Sequence, residues 1–95
     1  MKLLSIIIPC YNEEDVLPHL LKRMELVVNT LKKEWDIELL FVNDGSRDKT
    51  GDILEAFAKK NNYVRILHHR RNMNLGAALR TGIKEAKGEV IVTND

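Results

Sequence analysis

The chain has 95 residues, 44% of them hydrophobic and 31% charged, with 15 Lys+Arg against 14 Asp+Glu and a net charge of +1. This is enough for one globular domain, near the low end of the usual ~100–150 residues, and its charge balance gives nucleic acid no electrostatic case as main partner. Cys10 stands alone, which excludes an intramolecular disulfide and suits a reducing, cytoplasmic setting and a small buried apolar role.

Leu3 to Ile8 is β-branched-rich and broken only by Ser5, the composition of a strand covered on both faces. The run is too short to cross a bilayer, and Pro9 and charged residues follow at once, so it reads as a strand and not as a signal segment. Leu17, Leu20, Leu21, Met24, Val27, Val28 and Leu31 then recur at helical spacing and predict one buried helix face. Pro18 marks its first turn, Glu13, Glu14 and Asp15 favour its amino end, and Lys32 and Lys33 its carboxyl end. Ile37 to Val42 is a second apolar strand. A helix over 48–60 follows, with Ile53, Leu54, Phe57 and Ala58 inward and Asn61-Asn62 ending it.

Tyr63 to Leu67 predicts a third strand, and Arg65 gives it the one wet face of an edge strand. Leu75, Ala78, Leu79, Gly82, Ile83 and Ala86 are expected to line a third helix, with Gly88 as its C′ residue. Val90 to Val92 is a fourth strand. The β-α-β-α-β-α-β alternation implies right-handed crossovers and a parallel sheet. A Rossmann-like three-layer α/β fold of strand order 3-2-1-4 is expected, with the switch point beside strand one. Asp44 and Asp95 then end strands two and four, roughly 10 Å apart at ~4.8 Å per strand step. Strand four is apolar and unprotected for an edge, which predicts that something covers it, or self-association through it.

Four segments can carry chemistry. In Pro9-Cys10-Tyr11-Asn12-Glu13, at the switch point, Tyr11 can lie against a flat base with polar groups beside it. In Asn43-Asp44-Gly45-Ser46-Arg47-Asp48-Lys49-Thr50, Gly45 permits a sharp turn and Asp48 or Ser46 can cap the next helix, with Thr50 bonding locally. None of these duties accounts for Asp44, a carboxylate suited to accept an N–H of a pyrimidine or guanine edge. Arg70 and Arg71, with Gly76 at the third helix start, can meet an anion, while His68 and His69 are read as structural or exposed. Asp95 suits one of two carboxylates holding Mg²⁺ or Mn²⁺ against a diphosphate. Neither GxxxxGK[ST] nor GxGxxG is present.

With these residues in place, the chain resembles the amino-terminal part of a family-2 glycosyltransferase of the GT-A fold. The resemblance rests on IIIPCYNEEDVLP at 6–18, LLFVNDGSRDKT at 39–50, RNMNLGAALRTGIKEAKGE at 71–89 and VIVTND at 90–95. Its flavour is similar to polyprenyl- or dolichyl-phosphate sugar synthases. It implies that Pro9, Tyr11 and Glu13 line the base pocket, that Asp44 contacts the base, and that Arg70 or Arg71 lies near base and phosphates. Asp95 matches the first Asp of the metal motif. The implied reaction transfers a sugar from a UDP- or GDP-type donor to a lipid-phosphate or saccharide acceptor. Residues 1–95 are then expected to supply the donor-nucleotide side, with no catalytic residue of their own. The remaining carboxylates and any anchor to the cytoplasmic face of a membrane are expected to lie beyond Asp95. Two other readings compete: a non-catalytic nucleotide-binding or folding unit, and a sugar nucleotidyltransferase, which the absence of a Gly/Arg-rich loop after strand one disfavours.

Overall fold

A computed structural model describes residues 1–94. Its elements are β1 (Leu3–Cys10), α1 (Leu17–Leu31), β2 (Asp36–Asn43), α2 (Thr50–Lys60), β3 (Val64–His68), α3 (Asn74–Glu85) and β4 (Val90–Thr93). All strands run parallel, in the order β3-β2-β1-β4, as the alternation of elements predicts. No helix among the described residues is long and apolar enough to cross a membrane.

The two-residue period of the central strands sorts the core into two layers. Leu4, Ile6, Ile8 and Cys10 of β1 join Leu39 and Phe41 of β2 beneath α1 and α2, with Leu17, Leu21, Met24, Val28, Leu54 and Phe57. Phe41 and Phe57 meet edge to face, with ring centroids 6.1 Å apart, an arrangement worth about 0.5–1.5 kcal/mol beyond burial. On the opposite face Ile7, Leu40 and Val42 pack under Ala78 of α3.

Four expectations need correction. Val27 is exposed, because the buried stripe of α1 narrows to Leu17, Leu21, Met24 and Val28. Leu75 and Ile83 are also exposed, and α3 meets the sheet through Ala77, Ala78 and Gly82. A Cβ at Gly82 would run into Ile7, so the helix comes close through small residues, with Leu79 packed beside them and Leu75 and Ile83 carried to the sides. Gly88 does not cap α3, whose C-cap is the extended Ala86. Gly88 lies against β1 instead, where a Cβ would sit 2.7 Å from Ser5 N and 2.9 Å from Leu3 O.

Arg65, expected on a wet face, is bound into a polar cluster. The β1–β2 register sets Ser5 beside Glu38 on the α3 side of the sheet, and Ser5 Oγ donates to Glu38 Oε1 at 2.8 Å. Lys87 N–H donates to the same oxygen at 3.0 Å and Arg65 to Oε2 at 3.3 Å. Arg65 also reaches the Glu85 carbonyl at 3.2 Å, and Gly88 N–H donates to Ser5 Oγ at 2.8 Å. Burial pushes the Glu38 carboxyl up, but these donors, Lys87 N–H foremost, outweigh it and hold the group below its usual range. The cluster fixes the α3–β4 connection and so sets β4 against β1. Val90, Ile91 and Val92 of that edge strand remain exposed.

Candidate functional site

At the carboxyl ends of β1 and β2 the two following loops are stitched together. Asn12, with φ at 48°, receives Arg47 N–H on its Oδ1 at 2.8 Å and gives its own N–H to Ser46 Oγ at 2.9 Å. Glu13 N–H donates to Thr50 Oγ1 at 2.8 Å, so Thr50 holds a distant loop as well as bonding within its own turn. Asp48 accepts from Thr50 N–H at 2.9 Å and from Glu14 N–H at 3.2 Å. The Thr50 hydroxyl, followed by the N–H groups of Thr50 and Glu14, holds the Asp48 carboxyl below its usual range. Gly45 turns at φ +73°, and a side chain there would collide with the backbone of Arg71 and Asn72. Only glycine lets the loop after β3 lie against the loop after β2.

That close approach surrounds Asp44, which is 3% exposed. Its Oδ1 accepts from His69 Nδ1–H at 2.7 Å and Met73 N–H at 2.9 Å, and its Oδ2 accepts from Asn72 Nδ2–H at 3.2 Å. The far nitrogen of His69 lies 2.8 Å from the Thr81 hydroxyl on α3. Asp44 therefore has a structural duty after all: it gathers the 69–73 loop. Neighbouring His68 pins the strand ends, taking Asn43 Nδ2–H at 3.0 Å on Nδ1 and giving Nε2–H to Glu55 at 2.7 Å.

A cleft of about 530 Å³ opens here, lined by Pro9, Cys10, Tyr11, Glu13, Asp44, Asn72, Leu75 and Ala78. It brings together four of the sequence-predicted residues: Pro9, Tyr11, Glu13 and Asp44. Tyr11 is 44% exposed and its ring is available for stacking. Glu13 takes the Tyr11 N–H at 3.2 Å. Cys10 is buried, and burial together with the Glu13 carboxylate pushes its thiol up to about 12, so it is an apolar wall and no nucleophile. Arg70, Arg71 and Gly76 are exposed and outside this lining. A Cβ at Gly76 would meet only the side-chain ends of Arg80 and Asn74, at 3.3 and 3.5 Å, so no packed neighbour requires glycine there.

The lining adds Asn72 and Leu75, which sequence reasoning did not assign to the site. A second cleft of about 610 Å³ lies on the α1 side of β1, with Pro9, Glu13, His19, Arg23 and Asn94 among its lining. Asp95, the expected metal ligand, lies outside the described residues. Among the described residues no group of three or more His, Cys, Asp and Glu could hold a metal ion. These residues do not by themselves fit a metal centre.

A parallel 3-2-1-4 sheet with a cleft at the carboxyl ends of its central strands defines a Rossmann-like α/β domain of the GT-A type. Comparison with known proteins makes the assignment specific: residues 5–95 match the model of Glycosyl transferase family 2, and the chain belongs to that family. It is 41% identical over 96 residues to an undecaprenyl-phosphate 4-deoxy-4-formamido-L-arabinose transferase of Pseudomonas fluorescens, covering 100% of this chain and 28% of that protein. Among solved structures it is similar to S. aureus TarS 1-349 in complex with UDP, with a TM-score of 0.74 and 28% identity over 100% of this chain and 27% of that one. A mannosyltransferase from Pyrobaculum calidifontis, in complex with GDP-Man and Mn²⁺, shares the fold at a TM-score of 0.68 and 22% identity, over 93% of this chain and 25% of that one.

Proposed function

We propose that the Asp44 cleft binds the base of a nucleotide-diphosphate sugar. Residues 1–95 then form the donor side of a glycosyltransferase that passes the sugar to a lipid-phosphate or saccharide acceptor. The observation that carries this reading is a buried carboxylate at the end of a central strand that lines a cleft together with an exposed tyrosine. Burial of a carboxylate is costly unless donors satisfy it. A base N–H completes the set and a tyrosine face stacks on the ring.

In the reaction an acceptor oxygen attacks the anomeric carbon, and the bond from that carbon to the diphosphate breaks. The part played by these residues is binding and orientation: Pro9, Tyr11, Glu13 and Asp44 fix the nucleoside, and exposed Arg70 and Arg71 offer charge towards the diphosphate. In this reading Asp95 would be one ligand of Mg²⁺ or Mn²⁺, which would supply charge stabilisation to the leaving diphosphate. Family membership and the similar solved structure bound to UDP support the donor class. The relative named for undecaprenyl-phosphate supports a lipid-phosphate acceptor, and on this reading the whole protein works at the cytoplasmic face of a membrane. Calorimetric titration with UDP and GDP in the presence of Mn²⁺ tests the reading. Asp44→Ala is expected to weaken binding at least ~10-fold, as loss of a charge-assisted hydrogen bond predicts. Wild-type protein that binds neither nucleotide contradicts it.

A further inference from the structure

We infer that the base taken by this cleft is uracil and not guanine, and that His69 sets this preference by closing one oxygen of Asp44. The inference rests on the nucleotide reading of the cleft. A carboxylate offers about four acceptor positions, two on each oxygen. On Oδ1 both are filled, by His69 Nδ1–H at 2.7 Å and Met73 N–H at 2.9 Å. Oδ2 holds one bond, from Asn72 at 3.2 Å. One position on one oxygen is left for a ligand.

Guanine presents two parallel donors on its pairing edge, the ring N1–H and the exocyclic amino group, and a carboxylate receives them with both of its oxygens. Here that would require breaking the bond of His69 or Met73 to Oδ1. Uracil presents a single donor, N3–H, between two carbonyls, which matches one open position on Oδ2. The Asn72 amide carries two N–H groups and gives one to Asp44, so the other can reach a flanking uracil carbonyl from the cleft lining. Adenine and cytosine carry a ring acceptor where uracil carries its donor and would face the carboxylate with a lone pair.

Oδ1 does not open easily. The His69 ring is held at both ends, by Asp44 and by the Thr81 hydroxyl at 2.8 Å, and its side chain is only 10% exposed. With Nδ1 donating to the carboxylate, Nε2 pairs with the Thr81 hydroxyl. This fixes the ring on a helix that is itself packed on the sheet. His69 touches no base; it is a positioning residue that acts through Asp44.

Titration calorimetry with UDP and with GDP, each with Mn²⁺, tests this on wild type, His69→Leu, His69→Asn and Thr81→Val, with thermal melts reporting folding. Wild type is expected to bind UDP at least ~10-fold more tightly than GDP, since a mismatched buried polar group strongly disfavours the wrong ligand. His69→Leu frees Oδ1 and should bring the UDP/GDP ratio below about 3, whereas His69→Asn restores an N–H near the place of Nδ1–H and should keep most of it. If His69→Leu melts too low to assay, the wild-type ratio and a reduced ratio in Thr81→Val carry the test. GDP binding as tight as UDP in wild type overturns the inference, as does a folded His69→Leu with an unchanged ratio. Equal affinities that both collapse in Asp44→Ala leave the nucleotide site standing and remove only the base preference. Binding of neither nucleotide removes both.

Discussion

Glu38 and Asp44 bracket the second half of β2, both buried and each accepting three hydrogen bonds, but they face different surroundings. Glu38 sits among Ser5, Lys87 and the guanidinium of Arg65, and its charge is met inside the protein. Asp44 is held by a ring N–H, a side-chain amide and a backbone N–H, and lines an open cleft. A buried carboxylate matched by a cation and enclosed backbone is a structural tie. One held by an imidazole, an amide and a backbone N–H at the end of a strand, in the wall of an open cleft, is poised for a ligand.

Substitutions separate the two most sharply at Asp44. Asp44→Ala should both lose UDP binding and destabilise the fold by about 1–3 kcal/mol, because Met73 N–H and His69 are left without their acceptor; denaturant titration reads the second effect. Gly45→Ala places a side chain at φ +73° against the Arg71–Asn72 backbone. It should cost about 1–3 kcal/mol and weaken UDP binding, since Asn72 must move.

Glu38→Gln is expected to cost about 1–2 kcal/mol near neutral pH while leaving UDP affinity unchanged, the reverse of a site residue. Its pH dependence has a definite sign. The folded-state carboxyl is held below the ordinary value of 4.5, so its contribution is present above that value and is lost as pH falls through the folded-state value. Stability curves of wild type and Glu38→Gln should therefore converge on the acid side, and parallel curves contradict the tie. The smallest effect concerns the exposed β4 edge: Val92→Lys should reduce any concentration-dependent sedimentation and leave both carboxylate networks intact.

Much of this was readable in the chain. The apolar runs of β1 and β2 admit no other place than the sheet centre, and the spacing of elements fixes the crossovers. Asp44 stood out because turn chemistry explained its neighbours and not itself. What periodicity misses is how closely an element approaches its neighbour. It groups Leu75 and Ile83 with Ala78 and Gly82, but the contact runs through the small residues, and Leu75 is left to line the cleft. His69 was missed because its partner lies 25 residues away and no local spacing records it. The signal was topological: with β3 beside β2, the residues after β3 are those that reach a carboxylate at the end of β2. Ser5, Glu38 and Arg65 join by the same logic of register, which a strand read alone does not disclose.

The most direct measurement is an amide NMR titration of the full chain with UDP and Mn²⁺. Shifts should concentrate at Tyr11, His69, Asn72 and Met73, spare Lys87 and Gly88 around Glu38, and vanish in Asp44→Ala. Shifts centred instead on His19, Arg23 and Asn94 in the α1-side cleft, or no shifts at all, would contradict a base site built on Asp44.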